Sequence, residues 1–388
     1  MASAPFVVVG AGIGGLAAAI ALARAGKRTL VLERAERIEE VGAGLQISPN
    51  AGRILQDFGM RPALDAVAIE PRALNIRRAA DGAVLARLPL AEARDRWGAP
   101  FRVFHRADLQ KALLDEALRL GVEARTAARC DGFTQDERGL RLNVAEETLD
   151  AEALIGADGL RSTIRDALGL VAADAPSPVG LTAWRTLIPI DEAPAALRER
   201  ETHIWLGPKA HIVHYPLRDA RIVSAVAILE DSADRGPLVD IRTGEELVRA
   251  MGFGRWSRDL RGLLEAGGEW RRWPLYARPE LARWGRGRVA LLGDAAHPMV
   301  PFLAQGAAQA IEDAAALGRA FADGRADVEA ALEAYQAGRT ERAIRIQRAS
   351  RRQGANCHYA GPMAALRDVA VRLMGGAGVL SRNAWIYR

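Results

Sequence analysis

The sequence predicts an α/β fold: a parallel sheet interrupted by an inserted antiparallel sheet and followed by helices. Three observations carry this reading. The apolar run Phe6–Val9 leads through a glycine turn into an alanine-rich helix and a second strand, which is the Rossmann-like βαβ order. Between about Leu181 and Trp273 the pattern changes to short strands separated by turn residues, as an antiparallel sheet requires. After Val289–Leu292 the chain turns helical over 307–321 and 328–352.

Taken in order, Phe6-Val7-Val8-Val9 is a β-branched run with glycines behind it, as in a strand buried on both faces. Leu16 to Ala25 forms a helix that Gly26 stops, and Thr29–Leu32 is the second strand, ending in Glu33. Asp108 to Leu120 is a helix with Leu109, Leu113, Ala117 and Leu120 on one face. Val122 to Glu147 alternates as a small antiparallel meander, and Ala153–Ile155 returns to the buried sheet. Thr202–Leu206, His211–Tyr215 and Arg221–Ile228 are strands of the insertion, the first two joined through Gly207-Pro208. The expected division is a discontinuous nucleotide-binding domain (1–73, 98–180 and 274–325), a substrate-binding domain (74–97 and 181–273) and a C-terminal helical region (326–388).

Composition narrows the function classes. The 388 residues are 49% hydrophobic and 26% charged, ordinary for a globular chain. The net charge of +5 is carried by arginine, since Lys27, Lys111 and Lys209 are the only lysines. The arginines are scattered and aromatics reach only 5%, so a nucleic-acid surface is not expected, whereas anionic small molecules are suited. Cys130 and Cys357 have no neighbour at metal-ligand or redox spacing, so reduced thiols in a cytoplasmic protein without a metal are expected. The apolar segment Phe6–Ala25 is broken by Gly10, Gly12, Gly14 and Gly15 and closed by Arg24 and Lys27, which reads as strand-turn-helix rather than signal or membrane span.

Three motifs carry the chemistry. In Gly10-Ala-Gly12-Ile-Gly14-Gly15, Gly12 lets the backbone approach a pyrophosphate and Gly15 lets strand and helix pack closely. The helix N-terminus then offers amides and positive dipole to the phosphates, and Glu33 is placed to accept from both hydroxyls of an adenosine ribose. The plain alternative is a tight turn with a solvated Glu33. The second motif is Gly156-Ala-Asp158-Gly159-Leu-Arg161-Ser162, and the third is Gly293-Asp294-Ala-Ala-His297-Pro298. Asp294 directly follows a buried strand, a costly place for an acid without hydroxyl or amide partners. A ribityl chain offers such hydroxyls, and the helix after Gln305-Gly306 would aim its amides at a flavin's N1/C2=O edge. The alternative is that Asp294 only caps a helix.

With Leu45-Gln46-Ile-Ser-Pro49-Asn50 and His105-Arg106-Ala-Asp108-Leu109 between them, these motifs resemble the single-component FAD-dependent aromatic hydroxylases. That family includes the salicylate, 3-hydroxybenzoate and 6-hydroxynicotinate hydroxylases, and the likeness runs from about Phe6 to Gln353. The resemblance implies FAD as cofactor and NADH or NADPH as a transient co-substrate. It implies that O2 is the oxidant through a flavin C4a-hydroperoxide and that a small hydroxylated aromatic or N-heteroaromatic acid is the substrate. It places Gly10, Gly12, Gly14, Gly15, Glu33 and Arg34 on the ADP half, Arg106 on the phosphates, and Asp158 and Arg161 in the middle motif. Gly293 and Asp294 go to the ribityl group, and Pro298, Gly306 and Ala307 to the isoalloxazine. A flavoprotein reductase or oxidase, a monooxygenase of larger substrates, and a non-catalytic flavin-binding sensor stay open as alternatives.

Such chemistry needs a base or acceptor for the ring hydroxyl. In a strand, His211 and Tyr215 share a face while His214 points the other way. The resemblance makes His211 the base and Tyr215 a substrate-orienting hydrogen bonder; the bland reading is two interior residues of a hairpin. His297 is expected to shape its turn, and His105, His203 and His358 show no constellation around them. Arg185 reads as a salt-bridging crossover residue rather than a carboxylate anchor. Phe302 stands near where a hydroxynicotinate enzyme is expected to carry histidine, which makes that wall apolar. A monomer and a homodimer are equally compatible with the sequence.

Overall fold

The structure, a computed structural model, describes residues 4–39, 44–136, 139–170, 175–231, 241–322 and 327–388. Its first layer is a six-stranded sheet in the order Gly285–Arg286, Val289–Leu291, Ala153–Gly156, Phe6–Val9, Thr29–Leu32, Glu123–Arg125. The four inner strands run parallel, with Phe6 opposite both Thr29 and Ala153. Every side chain of Phe6–Val9 and Thr29–Leu32 is buried, which is why these strands read as unbroken apolar runs rather than alternating ones. The helices Ile13–Arg24 and Gly306–Phe321 pack on each other and on this sheet, with Leu16, Ile20, Ile311 and Leu317 fully enclosed. Side chains of that size each stabilise the fold by about 1.5–3 kcal/mol when buried.

The second layer is an eight-stranded sheet ordered Ile241–Arg242, Trp270–Ala277, Ser177–Pro189, Ile222–Glu230, Ala210–Leu217, Thr202–Gly207, Ala73–Arg78, Val84–Pro89. Its strands extend to Ser177 and Ala277, several residues beyond the expected ends of the insertion. One pairing departs from the antiparallel expectation: Thr202–Gly207 runs parallel to Ala73–Arg78. The latter strand arrives from a separate stretch of chain, so no hairpin dictates its direction.

The meander spans Cys130–Ala151, because Glu123–Arg125 joins the edge of the parallel sheet instead. A two-stranded ribbon, Gly44–Ile47 with Arg102–His105, lies beside Tyr215 and Ser224 of the large sheet. The helix Val328–Cys357 runs five residues past its expected end, and Gly361–Arg382 lies against the strand Val84–Pro89. Among the described residues no helix is long and apolar enough to cross a membrane, and no His/Cys/Asp/Glu cluster could hold a metal.

Candidate active site

A cavity of about 720 Å³ runs between the two sheets, within the roughly 300–1,000 Å³ of ordinary ligand sites. The three glycine motifs meet at one end of it. Gly10, at φ +105°, has its absent Cβ only 2.5 Å from the carbonyl oxygen of Ala157, so the first and second motifs touch through bare backbone. A Cβ on Gly15 would sit 1.9 Å from the Gly10 oxygen, so strand and helix approach as closely as the turn allows. Gly12 begins the helix Ile13–Arg24 with no side-chain cap, leaving that end's amides for a ligand.

Glu33 closes the same end. Its carboxylate accepts from the amides of Ala11 at 2.8 Å and Ala35 at 3.0 Å, and the remaining lone pairs can accept hydroxyls. Arg106 starts the helix Arg106–Arg119 at the cavity wall. Asp158 accepts from Ser162 Oγ and from the Ile164 amide at 3.2 Å, and burial raises its carboxyl pKa. Arg161 lies over the Tyr276 ring at 5.6 Å.

Asp294 follows Gly293, itself at φ +62°. Its side chain is exposed into the cavity rather than to bulk solvent. The enclosing protein raises its pKa, against the opposing charges of His297 and Arg106. Facing it, Gly306 and Ala307 open the sixteen-residue helix Gly306–Phe321, whose N-terminus also lacks a side-chain cap. Two uncapped helix ends, a cradle of glycines and an acid short of partners fit a flavin dinucleotide: phosphates at Gly12, ribityl hydroxyls at Asp294, and a ring edge at Gly306.

Two expected contacts fall elsewhere. Gly15 lies behind the turn and is absent from the cavity lining, so it acts through packing. Pro298 is also absent from the lining; its carbonyl accepts from Gln347 at 2.9 Å, and Met299 and Pro301 take its place on the wall. A peptide turning between Ala296 and Pro301 cannot present every residue to one side.

The other end of the cavity is the inserted sheet. His211, Tyr215 and Phe302 all line it, with Arg185 and Val213. His211 is buried, and its Nδ1 lies 2.9 Å from His358 Nε2, which leaves Nε2 for the cavity. Burial pushes its pKa down to about 3, aided by His358. Burial takes Tyr215 up to about 12, against Arg185 and a hydrogen bond with Ser224; its hydroxyl is therefore a neutral donor at neutral pH. Phe302 lies 5.3 Å from the His211 ring.

Several residues differ from their sequence readings. Arg185, read as a salt-bridging crossover residue, also stands on the cavity wall beside Tyr215. His358, expected to be isolated, partners His211 across 147 residues of sequence. His203 is not isolated either: its ring stacks on His214 at 4.6 Å on the far face of the sheet. His105 lies 3.3 Å from Arg218 and 3.8 Å from Asp108. His297 does shape its turn, but through Asp313, 2.6 Å from its Nε2, not only through backbone. Gln353, Cys357 and Tyr387 also reach the cavity from the C-terminal helices. No local pattern marks these three, since only tertiary packing brings them in.

The fold and this site define a flavin-dependent oxidoreductase of the α/β class. The model of the FAD binding domain family matches residues 3–350. A 3-amino-4-hydroxybenzoate 2-monooxygenase of Streptomyces platensis is 38% identical over 383 residues, covering 98% of this chain and 94% of that protein. The 3-hydroxybenzoate 6-hydroxylase of Polaromonas naphthalenivorans is 36% identical over 95% of this chain and 91% of its own length. The 6-hydroxynicotinate 3-monooxygenase of Bordetella bronchiseptica is 36% identical over 86% of this chain and 87% of its own length. Among solved structures, a salicylate hydroxylase substrate complex superposes with a TM-score of 0.84 at 25% identity, covering 100% of this chain and 96% of the other. The chain belongs to the FAD-binding family of aromatic hydroxylases, and it is an FAD-dependent monooxygenase.

Proposed function

We propose that this enzyme uses NAD(P)H and O2 to hydroxylate the ring of a small hydroxylated aromatic or N-heteroaromatic acid. The observation that carries the reading is that His211, Tyr215 and Arg185 share one wall of the cavity whose far end holds the three glycine motifs. FAD, when bound, supplies reduction by the nicotinamide and activation of O2 to an electrophilic oxygen donor.

The chain's own residues prepare the substrate. His211 presents Nε2 to the ring hydroxyl and takes its proton, making the ring electron-rich. Tyr215 donates a hydrogen bond from its neutral hydroxyl, and Arg185 supplies positive charge for the acid group. Phe302 and Val213 keep the pocket dry beside His211. The relatives named for 3-hydroxybenzoate and 3-amino-4-hydroxybenzoate support a substrate carrying both a hydroxyl and a carboxylate. An apolar residue at Phe302 favours a benzoate over a hydroxynicotinate.

The test is NADH oxidation by the FAD-loaded protein, screened against hydroxybenzoates, 6-hydroxynicotinate and salicylate. One acid should accelerate NADH and O2 consumption and yield an equal amount of hydroxylated product. Stimulated NADH oxidation without any hydroxylated product, across the whole set, would contradict the reading.

A further inference from the structure

His358 occupies a place that the catalytic reading leaves unused. It caps the helix Val328–Cys357, lies almost wholly inside the protein, and is absent from the cavity wall itself. Its Nε2 meets His211 Nδ1 at 2.9 Å, and its Nδ1 faces the carboxylate of Glu230 at 3.9 Å. Glu230 ends the strand Ile222–Glu230, and its side chain is 45% exposed. From the cavity outward, His211, His358 and the half-exposed Glu230 therefore follow one another, the last pair 3.9 Å apart.

We infer that His358 is the second member of a two-imidazole relay, which carries the substrate's hydroxyl proton from His211 to Glu230 and on to solvent. The inference rests on the reading of His211 as the base.

The need for an exit follows from burial. Low pKa values near 3 for His211 and about 4 for His358 mean that neither ring holds a positive charge comfortably. A buried base that stores a proton would face that penalty on every turnover. A relay avoids it. The substrate O–H bond breaks as an N–H bond forms at His211 Nε2. The N–H bond at His211 Nδ1 breaks as one forms at His358 Nε2, and the proton on His358 Nδ1 passes to Glu230 through one bridging water, since the 3.9 Å between them exceeds hydrogen-bond reach. One proton enters and one leaves, no electrons change hands, and both rings end neutral in the opposite tautomer. As the hydroxylated product forms, its ring oxygen takes the proton from His211 Nε2, His358 Nε2 returns one to His211 Nδ1, and His358 Nδ1 regains one from Glu230, which resets both tautomers.

The surroundings hold His358 neutral and in place. Arg367, from the helix Gly361–Arg382, donates to the Cys357 carbonyl at 3.1 Å and pairs with Asp368 at 2.8 Å, and its charge disfavours a cation on His358. The Lys209 amide donates to the His358 carbonyl at 3.1 Å, fixing the ring's backbone. Phe302 stands edge-on to the His358 ring at 5.6 Å. Glu230 is the acceptor facing His358 Nδ1.

The experiment mixes FAD-loaded enzyme with 3-hydroxybenzoate in a stopped-flow instrument, following phenolate absorbance and, with an indicator dye, the released proton. His358→Gln keeps an acceptor for His211 Nδ1 but cannot pass a proton on. Phenolate formation should slow at least tenfold in this variant with substrate affinity unchanged, and added imidazole should restore the rate in His358→Ala. Wild-type phenolate kinetics in His358→Gln would overturn the relay and leave His358 a positioning partner. Should that variant not hold FAD, Glu230→Gln reads the outer end: proton release should slow about threefold, and unchanged release overturns the proposal. The underlying reading fails separately, if wild-type enzyme forms no phenolate or His211→Ala forms it as fast as wild type.

Discussion

His211 and His214 sit three residues apart on one strand, both almost fully buried and both with pKa values pushed down by burial. One opens onto the cavity and holds His358; the other stacks on His203 at 4.6 Å with ring planes 5° apart, beside Trp205. The perturbed pKa is common to both and so does not distinguish them. What differs is the face: the pleat sends alternate residues to a ligand cavity or to the core beneath the helices Gly244–Ala250 and Arg258–Ala266. A shifted pKa marks a functional residue only where geometry gives it something to act on.

The largest expected separation between the faces is catalytic. His211→Ala should lower hydroxylated product formation by about 10²–10⁴-fold, the usual worth of a general base, with FAD content unchanged. His214→Ala should stay within about twofold of wild type per folded holoenzyme, because its ring touches no cavity residue of the proposed mechanism. Product quantified against bound flavin decides this, and equal losses in the two variants would erase the distinction.

Acid sensitivity is what the two faces share. His203 and His358 sit at about 4 and His211 at about 3, all below the ordinary value for histidine. The unfolded chain therefore binds more protons between pH 6.5 and 4, so stability is complete above 6.5 and falls as pH drops. Each ring contributes on the order of 1–3 kcal/mol over that window. Asp158 and Asp294, raised by burial, act in the opposite sense, while Asp313, lowered to about 2, loses its contribution only below its ordinary pKa. Urea midpoints at pH 7.5, 5.5 and 4.5 should decline steadily, and a flat series would show that these histidines are not held neutral.

On the core face, His214→Ala removes a stacked, buried ring and should cost about 2–4 kcal/mol in urea unfolding. His214→Phe, which keeps the stack, should recover most of it. On the cavity face, Tyr215→Phe should lower kcat/KM roughly tenfold for an acid substrate, the worth of one hydrogen bond near 1.4 kcal/mol, and cost about 1 kcal/mol in unfolding through its lost hydrogen bond with Ser224. The smallest effect is indirect. A Cβ on Gly354 would lie 2.5 Å from the Phe302 ring, so Gly354→Ala should press Phe302 toward the cavity. Overpacking on the order of 1 kcal/mol corresponds to a KM raised about fivefold; an unchanged KM would mean that Phe302 yields elsewhere.

The end of the cavity built by the three glycine motifs is legible because its pattern is local. Gly10, Gly12 and Gly15 act through spacing within one turn, and Glu33 through its place after a four-residue strand. The assignment of His211 and Tyr215 to one face came from the two-residue period of a strand, and the structure places both on the cavity wall. What sequence reading missed lies in long-range packing. Nothing in Trp184-Arg185 says which layer Arg185 faces, and only the packing of the two sheets puts it on the cavity wall. His358 looked isolated because its partner is 147 residues away and joins it only when the helix Val328–Cys357 docks on the sheet. Pro298 was placed on the wall by motif alone, and the turn carries it behind.

The most direct test of the account is a crystal structure of the FAD-loaded enzyme with 3-hydroxybenzoate. The account predicts the isoalloxazine against the helix start at Gly306 and Ala307, with the substrate hydroxyl about 2.6–3.2 Å from His211 Nε2 and the carboxylate toward Arg185 and Tyr215. A substrate bound in that cavity with its hydroxyl turned away from His211, or a flavin ring lying elsewhere, would contradict it.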